Sequence, residues 1–407
     1  MTYIEKLLNG AKVQWKTLGD VAVKISSGGT PKTGVKDYYN GDIPWLRTQE
    51  VGNGDIWDTG VKITELGLKN SSAKMIPENC VIIAMYGATV GKVGINKIPL
   101  CTNQACANIQ LNEEVAHYRY VYYFLLSQYE YIKSLGAGSQ TNINAQIVKK
   151  LQIPIPPLEV QKEIVRILDS YTEYTNLLTA ELTAELTARK QQYEYYRNKL
   201  LAFNELNGGG YKLLTMSELG EFTRGKRFVK DDMISDGAPC IHYGEMYTYY
   251  GTWANESKSF VSEELVENKK LRVAEKGDVV IVAAGETIED IGLGTAWLGN
   301  EGVVIHDACF SYRSSLNPKY VAYFTRTKQF HDQIKKHISS GKISAINAKG
   351  LEKVLIPVPS PEEQERIVGI LDKFDTLTNS ISEGLPKEIE LRKQQYEYYR
   401  EQLLSFH

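Results

Sequence analysis

A seam of mostly apolar positions runs through Ile164, Leu168, Tyr171, Thr175, Leu178, Leu182, Leu186, Arg189, Tyr193, Tyr196 and Leu200. Its steps alternate four and three with one extra four, a heptad pattern broken by a single stutter. The same offsets return at Ile367, Leu371, Phe374, Thr378, Ile381, Leu385, Ile389, Arg392, Tyr396, Tyr399 and Leu403. The first seam predicts a helix over 158–203, roughly 69 Å long at 1.5 Å per residue. Two matched seams predict an antiparallel helix pair. Proline-rich stretches at 153–157 and 356–361 fix an extended approach to each first turn, and residues 207–210 (Asn-Gly-Gly-Gly) form a stop and linker. Thr179-Ala180-Glu181-Leu182 is followed at once by Thr183-Ala184-Glu185-Leu186, and each such block adds about 6 Å and a rotation of about 40°. The second seam carries Gly384-Leu385-Pro386 there. A proline inside a helix costs roughly 3 kcal/mol, which predicts a break near 383–386.

Outside the seams, short apolar runs at 81–86 and 278–283 read as strands between helical patterns near 118–133 and 318–336, an α+β layout. The chain also repeats itself. Residues 153–203 and 356–406 agree without a gap at 26 of 51 positions, and Arg-Lys-Gln-Gln-Tyr-Glu-Tyr-Tyr-Arg stands unchanged at 189–197 and 392–400. The preceding segments echo each other faintly. Leu18-Gly19-Asp20 answers Leu219-Gly220-Glu221, Ala105-Cys106 answers Ala308-Cys309, and Ile143-Asn144-Ala145 answers Ile346-Asn347-Ala348. Tyr120-Val121 with Tyr123-Phe124 answers Tyr320-Val321 with Tyr323-Phe324. The layout is variable domain (1–152), constant helix (153–207), variable domain (208–355), constant helix (356–407).

At 407 residues and 43% hydrophobic the chain has enough material for two or three packed cores. Its longest apolar runs fall far short of the roughly 18 residues of a membrane span. The N-terminus lacks a basic region followed by an apolar core, so a cytoplasmic location is expected. Five cysteines without a C-x-x-C pair suit buried thiols better than disulfides or zinc.

Motifs for catalysis are wanting. No glycine-rich turn and Asn/Asp-Pro-Pro-aromatic tetrad of an amino-methyltransferase is present; Asn317-Pro318-Lys319-Tyr320 reads as a helix start. Residues 87–93 imitate a phosphate loop with glycines one residue too close and Val93 in place of the hydroxyl, and read as a turn whose counterpart is Gly285-Glu286-Thr287. His331 and His337 have no metal-site spacing. No cofactor and no metal are expected.

The constant segments carry the decisive resemblance. The Ile-Pro-x-Pro approach, Gln-x-x-Ile-Val-x-Ile-Leu-Asp at 161–169 and 364–372 (x-Ile-Val-x in both), the Thr-Ala-Glu-Leu tandem and the repeated Arg-Lys-Gln-Gln-Tyr block resemble the specificity subunit of a type I restriction-modification enzyme, with the tandem similar to its IC subgroup. Gly41-Asp42-Ile43-Pro44-Trp45-Leu46-Arg47-Thr48 is also similar to the family's usual phrase, from which residues 237–243 depart. The resemblance implies two globular α+β target recognition domains, separated by a long antiparallel two-helix coiled coil with pseudo-two-fold symmetry. Each domain would read one half of a split site in double-stranded DNA. The helices would set the gap and dock two methyltransferase subunits, with restriction translocase subunits outside; the chain itself would do no chemistry and meet no membrane.

The net charge of -2 is poor for a DNA binder, but it is unevenly spread. Residues 1–150 hold 16 basic and 12 acidic groups, 208–353 hold 19 of each, 151–207 hold 6 and 8, and 354–407 hold 6 and 10. The acid sits on the helices, so the lone chain should bind DNA weakly. Base readout wants guanidinium forks and amides on loops, with phosphates met by Lys, Ser, Thr and backbone N–H. In the first domain that points to Ser27, Gly28, Gly29, Thr30 and Lys32, to Arg47, Thr48 and Gln49, then to Lys92, Ser139 and Gln140. In the second it points to Arg224, Lys226, Arg227, His242, Tyr243 and Lys342. The bland reading of each is an ordinary solvated turn. For the tyrosines at 193, 195 and 196, helix packing or partner docking outweighs base stacking, because the cluster repeats at heptad positions. A coiled-coil scaffold without a nucleic-acid role explains the seams but not two divergent domains; a fused restriction enzyme would need catalytic motifs.

Overall fold

A computed structural model describes residues 3–136, 142–202, 211–339, 341, 343–380 and 383–406. The chain forms two compact units, residues 1–180 with 390–407, and residues 181–389.

In the first unit a five-stranded sheet runs in the order Ala22–Ser27, Cys106–Leu111, Val81–Ala84, Val93–Asn96, Gly54–Ile56. All neighbours are antiparallel except the last pair, which is parallel. Val81-Ile82-Ile83-Ala84, buried on both faces, is the middle strand, as its unbroken apolar run requires. The helix Tyr118–Ser127 covers one face with Tyr120, Val121 and Phe124. The second unit repeats the plan with Gly220–Arg224, Cys309–Ser314, Val279–Val282, Gly294–Trp297 and Trp253–Ala254, again parallel only at the last pair. In each unit a second sheet, three-stranded in the first and five-stranded in the second, holds one parallel pair, Tyr39–Leu46 with Cys101–Thr102 or Ala238–Ile241 with Val303–Ile305. All five cysteines are free and buried.

The proline-rich approaches are themselves strands. Gln152–Ile155 pairs antiparallel with Gln14–Thr17, and Leu355–Val358 with Lys212–Thr215. Thr17 and Thr215 then cap short helices, with Asp20 and Glu218 closing each capping box. That geometry corrects one echo: Leu18-Gly19-Asp20 is matched in space by Met216-Ser217-Glu218, three residues before Leu219-Gly220-Glu221. The likeness of the two tripeptides is a coincidence of letters, and the shared cap sets the register.

The long helix Leu158–Leu200 begins in the first unit and ends in the second. In the first unit its opening turns pack against Gly384–Leu404. Tyr171 stacks on Tyr399 with centroids 5.4 Å apart, Thr172 Oγ1 lies 2.9 Å from Tyr396 OH, and Ile164 and Leu168 share a core with Leu403 and Leu404. In the second unit its closing turns pack against Pro361–Asn379. Tyr193 and Tyr196 stack on Phe374 at 6.3 and 5.6 Å, and Leu201 shares a core with Ile367 and Leu371. Within each unit numbers rise on one helix as they fall on the other, the antiparallel pairing the seams predict. Two details differ from expectation. The helix runs to Leu200, and Leu201, whose N–H still donates to Arg197 O at 3.2 Å, is fully buried. Tyr171, Tyr196 and Tyr399 remain 37–39% exposed while stacking. The predicted break exists: the first helix of the second copy ends at Asn379, and the next starts at Gly384, whose φ is +76°.

One anchoring scheme fixes each globular domain on its constant helix. Gln161, fully buried, accepts the His117 N–H and donates to Val115 O and Pro156 O; Gln364 accepts the Asn317 N–H and donates to Pro359 O. Asp169 accepts from Tyr123 OH at 2.6 Å and from Arg119 Nη2 at 2.7 Å, and Asp372 from Tyr323 OH at 2.7 Å and Lys319 Nζ at 2.8 Å. Tyr120 and Tyr320 donate to Pro154 O and Pro357 O. Burial works against the charge of Arg119, yet Asp169 and Asp55 hold its pKa above the ordinary guanidinium value. At the place of Asp55, the second unit has Trp253, with Lys319 Nζ 4.2 Å from its ring centroid.

Candidate nucleic-acid interface

Four connections converge at one end of the central sheet in each domain. In the first domain the 27–32 loop lies on the turn after Cys101–Thr102: Gly29 N donates to Thr102 O at 2.8 Å, and the Thr30 hydroxyl donates to Gln104 Oε1. The 47–50 turn joins them, since Thr48 Oγ1 donates to Ala105 O. The turn at Gly87–Thr89 closes the group, with Thr89 Oγ1 donating to Thr48 O at 2.9 Å.

The second domain copies the arrangement with different side chains. Gly225 N donates to Cys309 O and Arg224 Nε to Asp307 O, while His242 and His306 lie 4.7 Å apart between ring centroids. Arg224, Arg227, Phe228, Lys230, His242, Tyr243, Glu286, His306 and Asp307 line a cavity of about 390 Å³. Arg47 and His242 occupy the same place: the N–H of each donates to a glutamate three residues on, Glu50 or Glu245. Burial opposes the charge of Glu50, but bonds from Arg47 and Gly60 hold its carboxyl below the usual range. Burial lowers the pKa of both His242 and His306. Their Nδ1 atoms accept backbone N–H groups from Gly244 and Ala308, which fits neutral rings.

Of the residues expected from sequence, the structure gathers Ser27, Gly28, Gly29, Thr30, Arg47, Thr48 and Gln49 at one end of the first domain, with Lys92 at the foot of the adjoining turn. Lys32 follows on the same loop and is exposed. Arg224, Lys226, Arg227, His242 and Tyr243 gather in the second. Arg47 is tethered by Glu50 at 2.9 Å, and Lys226 Nζ reaches Lys269 O at 3.3 Å. Ser139, Gln140 and Lys342 lie outside the described residues. Sequence reasoning missed Asn103 and Gln104, His306 and Asp307, and the paired glutamates. The signal available was position: the first four sit just before the matched Ala-Cys pairs. Those cysteines themselves are core, and burial pushes the Cys106 and Cys309 thiols up to about 12. Among the described residues no group of three or more His, Cys, Asp or Glu is placed to hold a metal, and no helix is long and apolar enough to cross a membrane.

One frame built twice, with unlike loops at one end of each central sheet and like helices behind it, defines a duplicated two-domain protein. The family model for the type I restriction modification DNA specificity domain matches residues 11–188 and again 208–391. The EcoR124I/EcoR124II specificity subunit of Escherichia coli is 33% identical over 421 residues, spanning 100% of this chain and 97% of that protein. S.HindORF215P of Haemophilus influenzae is also 33% identical, over 426 residues, 100% of this chain and 98% of its own. Among solved structures, a chain from a type I R-M system assembly superposes with a TM-score of 0.71 at 18% identity, covering 96% of this chain and 97% of that one. The HsdS subunit of Thermoanaerobacter tengcongensis gives 0.59 at 17%, covering 96% and 95%. The chain belongs to the type I restriction-modification specificity family.

Proposed function

We propose that this chain is the non-catalytic DNA-recognition subunit of a type I restriction-modification complex of the IC-like kind. Residues 1–152 read one half of a split duplex target and 208–355 the other. The constant helices, 153–207 and 356–407, set the gap and dock two methyltransferase subunits, with restriction translocase subunits joining outside them. Such a complex works on DNA in the cytoplasm. The observation that carries this reading is the contrast within one chain: equivalent loops that differ in nearly every side chain stand on helices whose exposed residues, such as Lys190 and Lys393 or Tyr195 and Tyr398, are the same. Repeated exposed identity suits one kind of partner bound twice, and unlike loops suit two unlike half-sites. The loops mix Arg, Lys, Gln, Thr and backbone N–H, the groups that meet base edges and phosphates. Footprinting of the chain with its methyltransferase partners tests it. Two protected segments with an unread gap are expected; one contiguous segment contradicts the reading.

A further inference from the structure

The two reading ends share a frame so closely that they show which side chain the frame leaves free. In both, a glycine lets a loop press onto the turn before the Ala-Cys pair: a Cβ on Gly28 would stand 2.0 Å from Thr102 O, and one on Gly225 2.2 Å from His306 O. The first residue of that turn is used up by the turn. Asn103 Oδ1 accepts the Ala105 N–H at 3.2 Å, and His306 Nδ1 accepts the Ala308 N–H at 3.1 Å. Three residues after these, Cys106 and Cys309 are fully buried. Between them stands Gln104 in one domain and Asp307 in the other, the first exposed and the second half-exposed on the cavity wall. Among the described residues no backbone group bonds either side chain; Asp307 Oδ1 lies 3.0 Å from His306 Nδ1, and its second oxygen faces the cavity.

We infer that positions 104 and 307 determine specificity, Gln104 by reading an adenine in the first half-site and Asp307 by accepting the exocyclic amine of a cytosine in the second. This rests on the reading of these loops as the DNA-facing ends. The Thr30 hydroxyl holds Gln104 Oε1, which fixes the amide plane and leaves the NH2 and a second lone pair of Oε1 free. One donor beside one acceptor matches N7 and the N6 amine of adenine in the major groove. A carboxylate presents acceptors only, which suits the cytosine N4 amine. Thr30 is a positioning residue, acting through Gln104.

The test uses the chain with its methyltransferase partners and duplexes in which each base pair of the target is replaced in turn. For Gln104→Ala, the preference at one A·T position of the first half-site falls about tenfold to a hundredfold, the worth of one bidentate contact, while the second half-site keeps its preferences. Asp307→Asn relaxes a single position in the other half-site. Thr30→Val weakens preference at the same position as Gln104→Ala; an equal loss of affinity for all sequences removes Thr30 from the proposal. Because Gln104 is exposed, its variants leave the fold intact, and Gln104→Asn, an amide held too short, repeats the loss. Unchanged preferences in Gln104→Ala, or relaxation of both half-sites together, overturn the inference. If the wild-type complex itself shows no split target, it is the reading of the domains that fails.

Discussion

Gln161 spends its whole amide on the backbone around it, satisfying His117 N–H and two carbonyls where water does not reach. Gln161→Ala leaves those groups unpaired, and about 3 kcal/mol of stability is expected to go, seen as a lower urea midpoint. The motif around Gln161 was legible as constant, but its role was not, because Val115, His117, Arg119 and Tyr123 come from a distant, variable stretch of chain. His306 offers a second residue-scale test. Burial depresses its pKa, against Asp307, which favours the charged ring, and His242 and Arg227, which oppose it; His242 and His331 are depressed by burial too. As pH falls through about 6.5, the ordinary imidazole value, the unfolded chain takes up protons that the folded chain refuses. Stability is therefore present above that pH and lost below it. Thermal unfolding is expected to show a drop between pH 7.5 and 5.5 that narrows in His306→Asn, since Asn103 already makes the same bond to its turn without titrating.

Element by element, periodicity foretold the helices well and the sheets only in part. The seams gave antiparallel pairs because a heptad stripe has one efficient partner, another such stripe. The runs at 81–86 and 278–283 shortened to Val81–Ala84 and Val279–Val282, and the helical patterns near 118–133 and 318–336 each divided in two. Chain turns rather than hydrophobicity decide such ends. The edge strands Gly54–Ile56 and Trp253–Ala254 have no clear alternation and join their sheets by parallel pairing. The break in the second seam was read from Pro386, yet Gly384 is where the backbone turns: its φ is positive, and a Cβ would stand 2.5 Å from Thr376 O. Gly384→Ala is expected to lower stability by about 1–3 kcal/mol, measured by the shift in urea midpoint relative to Gly369→Ala, where a Cβ meets nothing within 4 Å.

At the scale of the molecule, duplication explains why so much was readable from one sequence. Copies of the helical arms stayed alike where they carry the same job, and the domains diverged where they face different targets. The loops of the candidate interface were hidden in the sequence because their neighbours come together only through the sheet: Thr30 with Gln104, and Thr48 with Ala105 and Thr89. If reading and spacing are separate tasks, they can be changed separately. Inserting one more Thr-Ala-Glu-Leu block after Leu186 adds about 6 Å of helix, close to one or two base-pair steps of about 3.4 Å. The most direct measurement is a genome-wide map of modified bases in cells carrying the complex with the native chain or with that insertion. Two half-sites of unchanged sequence with a gap wider by one or two base pairs are predicted. A changed half-site sequence, or an unchanged gap in an active complex, contradicts the account.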